Sequence, residues 1–151
     1  MRTYMVVIDE TEEARLALRF ASRRAAKTNG NVHILALVEQ ADFVAWGAVQ
    51  ATMEAEALSR AEELVASAAG ALFQESGIRP SISVKAGEGI EVVKQVLAEN
   101  SNIAALVLGA ASGGSPGPLV SYFAATHVGT LQCPVIVVPG SLSEERIDEI
   151  S

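Results

Sequence analysis

Nine consecutive residues, Gly109-Ala-Ala-Ser-Gly-Gly-Ser-Pro-Gly117, have the composition of an anion-binding loop. Four of the chain's twelve glycines, Gly109, Gly113, Gly114 and Gly117, fall in it. Glycines let backbone N–H groups converge on a phosphate, and a helix start beyond the loop adds unpaired donors and the positive end of its dipole. Pro118 suits the first position of such a helix. Ser112, Ser115 and Ser121 add hydroxyl donors. No lysine or arginine lies between Gly109 and Cys133, and a Walker-type G-x4-G-K-[ST] is absent. A phosphate held here would rest on backbone, hydroxyls, dipole and a metal ion if one is carried.

The elements that must position this loop read clearly. Thr3–Ile8 is a short β-type run, followed by helical spacing over Thr11–Lys27. Ala14, Leu18, Ala21 and Ala25 share one face, and Arg15, Arg19 and Arg23 form a basic stripe elsewhere. Asn29-Gly30 stops that helix. Val32–Val38 is a second apolar strand. A long helix runs from about Ala51 to Glu75, with Leu58, Ala61, Val65, Ala68 and Leu72 as its buried seam, and ends at Gly77. Ser81–Lys85 alternates, with Ile82 and Val84 inward. A third helix, Gly89 to about Glu99, presents Ile90, Val93 and Leu97. Ile103–Leu108, the glycine loop, a helix over Pro118–Leu131 and a strand at Pro134–Val138 complete the series.

Strands alternating with helices predict an α/β fold: a doubly wound, five-stranded parallel sheet with helices on both faces. The order 3-2-1-4-5 reverses between strands one and four, where such sheets bind ligands at their carboxyl edge. Asp9 ends strand one and Gly109 ends strand four, so both face one crevice. Asp9 also has a plainer reading as part of a helix cap, with Thr11 available as N-cap. The two roles are compatible.

Composition narrows the classes. A chain of 151 residues fits one α/β domain over residues 1–140, with residues 141–151 as an appended short helix. Ser141 and Glu144 have capping-box spacing there. A net charge of −7 disfavours general nucleic-acid binding. No apolar run is long enough for a membrane span, and Met5-Val-Val-Ile8 stops too soon for a signal peptide. A single cysteine suits a reducing cytoplasm.

In order and spacing, Met5-Val-Val-Ile-Asp9, Val32-His-Ile-Leu-Ala-Leu-Val38, Gly87, Leu106-Val-Leu-Gly109 and Cys133-Pro-Val-Ile-Val-Val-Pro139 resemble a small universal stress protein over essentially the whole length. The resemblance implies the 3-2-1-4-5 sheet and a homodimer paired through the last strand. It also implies an adenine nucleotide, ATP or AMP, at the glycine loop, with Mg as an optional companion. Asp9 would lie by the ribose or a phosphate-bound metal, and the Val38 backbone at the adenine edge. The nucleotide-binding branch carries G-x2-G-x9-G-[ST] after strand four, and this chain departs from it. Ser112 stands at the second glycine's place, with Gly113 one residue late. Ser121-Tyr122 replaces the closing pair, and the segment is one residue shorter. The variant loop would therefore use Gly109, Ser112, Gly113, Gly114, Gly117 and Ser121.

Three classes of function follow: a nucleotide-binding regulator, a nucleotide-free dimeric scaffold, and an ATP-dependent activating enzyme. The third is disfavoured because strand one runs into Asp9-Glu-Thr-Glu-Glu13, acidic and without glycine, which repels a triphosphate. No serine–histidine–acid or cysteine–base constellation can be assembled. His33 reads as a structural histidine, His127 as exposed or cap-bonding, and Cys133 as a small apolar residue. Asp42-Phe-Val-Ala-Trp46 reads as packing beneath the long helix or as a ligand cover. Apolar Pro134–Val138 at a sheet edge would aggregate unless paired, which gives the homodimer its own physical argument.

Overall fold

A computed structural model describes residues 1–38 and 47–151. The strands are β1 (Thr3–Ile8), β2 (Asn31–Val38), β3 (Ser81–Ala86), β4 (Ile103–Ala110) and β5 (Val135–Pro139). They form one sheet in the order β3-β2-β1-β4-β5, and every pairing is parallel. The helices are α1 (Glu12–Lys27), α2 (Gly47–Ser76), α3 (Gly89–Glu99), α4 (Pro118–Ser121) and α5 (Glu144–Ile150). The doubly wound architecture expected from the sequence is present.

The period-two pattern of the strands sends their side chains to two cores. Val6, Ile8, Ile34, Ala36 and Val107 pack beneath α1, α2 and α5, whose contributions include Ala17, Ala21, Val65 and Ile147. Met5, Val7, Leu35, Leu106 and Leu108 face α3 and a fully buried Phe123. All six residues of β1 are buried, as befits a central strand with both faces covered. The α1 helix ends at Asn29, whose φ of 54° turns the chain while Gly30 N–H donates to the Ala25 carbonyl at 2.8 Å.

The basic stripe of α1 meets the acidic side of α5. Arg19 donates two bonds to Asp148, both 2.7 Å, and Arg15 donates to Glu144. Arg19 holds the Asp148 carboxyl below its usual range, and Asp148 with Glu144 raises the Arg19 guanidinium. The cap of α5 is Ser143, whose hydroxyl accepts from Arg146 N–H, rather than Ser141. Lying one residue before the first helical position, Ser143 can reach the third N–H of the helix; Ser141 is too far upstream.

Three details differ from the pattern read in the sequence. The expected helix over Pro118–Leu131 is instead one α-turn, a π-turn at Tyr122–Thr126 and a 3-10 turn at Val128–Thr130. The wider π-turn lets His127 stack on Tyr122 at 4.2 Å while Phe123 drops into the core, so tertiary anchoring overrides regular winding. Leu58 is 43% exposed although Ala57 and Ala61 beside it pack on the core, and the seam of α2 runs through Ala61, Val65 and Leu72. Ile82 is 52% exposed because β3 is an edge strand.

Phe123→Ala is expected to lower unfolding free energy by about 3–5 kcal/mol, whereas Leu58→Ala should change it by less than about 1 kcal/mol. Chemical denaturation of the two variants reads the difference directly.

Candidate functional site

The order reversal lies between β1 and β4, and the chain leaves both strands at the same sheet edge. Asp9 follows β1 directly. Its Oδ1 accepts from the Thr11 N–H at 2.9 Å and from the Thr11 hydroxyl. Thr11 Oγ1 in turn accepts from Ala14 N–H at 3.2 Å, capping α1. Asp9 therefore carries the capping role through Thr11, while its second carboxylate oxygen has no partner among the described residues. Glu12 and Glu13 fill the first turn of α1, where the dipole favours them.

Val38 ends β2 on the other side of β1 and is buried. Between these strand ends and α2 lies a cavity of about 450 Å3. Asp9, Glu10, Thr11 and Val38 line its floor, and Met53, Ala57, Arg60 and Leu64 line the α2 side. Its size falls within the range of small-ligand sites, and its walls are largely apolar with a few polar groups.

The glycine loop leaves β4 on the opposite side of Asp9 and does not line that cavity. Ala111 N–H donates to the Pro116 carbonyl at 3.1 Å, which closes the loop on itself. Gly114 (φ 70°) and Gly117 (φ 112°) occupy the left-handed region that favours glycine. The N–H groups of Ser112, Gly113, Gly114 and Ser115 have no hydrogen-bond partner among the described residues, and all four residues are exposed. Ser121 donates its N–H to the Gly117 carbonyl at 3.0 Å in the first turn of α4, with its side chain exposed.

The loop's glycines divide by physical cause. A Cβ at Gly109 would overlap the Glu13 carbonyl, because the first turn of α1 lies directly against the end of β4. Gly109 is thus required by packing. A Cβ at Gly113 would meet nothing within 4 Å, and its φ is not positive. Nothing within the described fold requires glycine there. Gly140, which the sequence reading passed over, also sits at this edge. Its N–H donates to the Ala110 carbonyl at 2.7 Å, and a Cβ would lie 2.7 Å from that same oxygen.

The remaining candidates have structural surroundings. His33 is buried and bonds Ser81 Oγ through Nδ1 at 2.7 Å and Ser83 Oγ through Nε2 at 2.9 Å. Burial pushes its pKa down. Burial also pushes the Cys133 thiol up, away from the thiolate a nucleophile needs. Asp42–Trp46 lies outside the described residues. Among the described residues no group of three or more His, Cys, Asp or Glu could hold a metal by itself.

Comparison with known proteins follows from this geometry. The model of the universal stress protein family matches residues 1–139. No curated protein matches the chain's sequence. Among solved structures, universal stress protein UspA from Lactobacillus plantarum is similar at 17% identity and a TM-score of 0.76, over 91% of this chain and 97% of that one. A universal stress protein family protein from Arabidopsis thaliana with AMP bound aligns at 18% identity and a TM-score of 0.57, over 92% of each chain. The universal stress protein from Archaeoglobus fulgidus in complex with dAMP aligns at 16% identity and a TM-score of 0.57, over 91% of this chain and 97% of that one.

The two loop glycines give a clean contrast. Gly109→Ala should destabilise the fold by about 1–3 kcal/mol through overpacking, and Gly113→Ala should stay within about 0.5 kcal/mol of the parent. Thermal unfolding of both variants measures this, and equal losses would remove the distinction.

Proposed function

This chain belongs to the universal stress protein family, and we propose that it is a regulatory protein binding an adenine nucleotide at the β1/β4 switch point, without dedicated catalysis. The observation that carries this reading is the set of four unpartnered N–H groups in the loop after β4, grouped around a glycine that the fold itself does not require. Such donors suit phosphate oxygens. The adjoining apolar cavity at Val38 suits an adenine ring, whose edge the Val38 backbone would meet. Structural relatives holding AMP and dAMP support the same ligand class.

In this reading the phosphates rest on Ser112, Gly113, Gly114, Gly117 and Ser121, with Gly109 setting the loop against α1. The short α4 turn contributes less dipole than the long helix expected from sequence. The free carboxylate oxygen of Asp9 suits the ribose hydroxyls or a Mg2+ ion. Mg2+ commonly takes one or two carboxylates and completes its shell with substrate phosphates and water, so Asp9 fits without a protein-only cluster. No helix among the described residues is long and apolar enough to cross a membrane. The lone cysteine suits a cytoplasmic setting.

Self-association belongs to the same proposal. β5 is a sheet edge carrying Val135, Ile136 and Val137, each only half-buried in the single chain. Pairing with a second copy would satisfy the free edge and cover these side chains.

ATP, ADP and AMP should each be titrated by calorimetry, beside mass spectrometry of small molecules released from purified protein. Binding by the parent, with losses of tenfold or more in both Gly113→Val and Asp9→Ala, is the expected outcome; no binding at millimolar nucleotide would favour the nucleotide-free scaffold. In analytical ultracentrifugation the parent should sediment as a dimer and Val137→Glu as a monomer or aggregate. An unchanged dimer would exclude the β5 interface.

A further inference from the structure

The cavity beneath α2 is lined by a candidate that lies outside the glycine loop. Met53, Ala57, Arg60, Ala61 and Leu64 line it from one helical face at spacings of four, three, one and three. Four of these are apolar. Arg60 is the one cation lining the cavity among the described residues, with Asp9 and Glu10 at the strand end and Glu54 on its own helix. Among the described residues Arg60 makes no hydrogen bond and no ion pair. Arg15, Arg19 and Arg23 on α1 are paired with carboxylates, and what sets Arg60 apart from the other unpaired arginines is its place at the cavity.

We propose that Arg60 is a base-side binding residue, laying its guanidinium on or against the nucleobase in the cavity beneath α2. The inference rests on the nucleotide-binding reading and adds a contact from a different element. Placement decides which part of the ligand Arg60 meets. The unpartnered loop N–H groups lie beyond β4, whereas the cavity lies between β1, β2 and α2. A nucleotide whose phosphates sit on the loop reaches across Asp9 and puts its base under α2. A planar guanidinium can stack on a π-face and donate to ring nitrogens, and it has no acceptor of its own. Glu54 on the same helix is acceptor-only when ionised, so the pair offers complementary groups to a purine edge. The three carboxylates also make this wall unfavourable for phosphates, which keeps the ligand's orientation with the base inward.

The test compares Arg60→Ala, Arg60→Lys and Arg60→Met with the parent by calorimetric titration of AMP, ADP and ATP at low and high salt. Arg60 is exposed on α2, so all three variants should fold, and circular dichroism checks this. Arg60→Ala and Arg60→Met should weaken all three nucleotides by the same factor, about tenfold. Arg60→Lys should recover little of the loss, because an ammonium lacks the planar fork. A loss that grows from AMP to ATP and shrinks at high salt would mean a phosphate contact and overturn the proposal. Unchanged affinity in all variants would also overturn it while leaving the nucleotide site intact. A parent that binds none of the three would overturn both.

Discussion

The close approach of the first turn of α1 to the end of β4 organises the functional edge of this protein. Gly109 has no room for a Cβ because the Glu13 carbonyl occupies that space. That contact follows from topology. The chain leaves β1, turns at once into α1, and α1 must cross the neighbouring strand to cover the sheet. Asp9 and Thr11 fix the turn by a relay of hydrogen bonds ending at Ala14 N–H. One short segment thus sets both the acid at the crevice and the starting direction of the glycine loop.

From that edge the surface divides into two unlike halves. Beyond β4 a self-closed loop presents unpartnered N–H groups and hydroxyls, with no cation. On the β2 side an apolar cavity carries three carboxylates and one arginine. A molecule with an anionic end and a flat, partly apolar end matches both halves, whereas inorganic phosphate or a simple hydrophobe matches only one.

Much of this was legible in the residues because the signals are local. Periodicity two or 3.6 places strands and helices, and an uninterrupted apolar run such as Ile34–Val38 marks a strand buried on both faces. Asp9 and Gly109 were found as a pair because strand order alone brings their ends together. The misses share a different cause. Phe123 reads like any aromatic in a helical stretch, yet it anchors the segment that becomes a π-turn. Leu58 fits the apolar spacing of α2 but is left outside the core that Ala57 and Ala61 join. Arg60 carried no local signal, because what distinguishes it is its place at the cavity beside Asp9 and Val38, which only the fold creates.

By itself the sequence determined the doubly wound sheet, its switch point and a glycine-rich loop beside an acid. Tertiary structure decided what each glycine is for. Gly109 is fixed by the backbone of α1 and Gly114 and Gly117 by their dihedral angles, and only Gly113 is left without an internal reason. Composition cannot make that distinction. A glycine's purpose lies in the space where its Cβ would stand, and that space is bounded by segments distant in the chain.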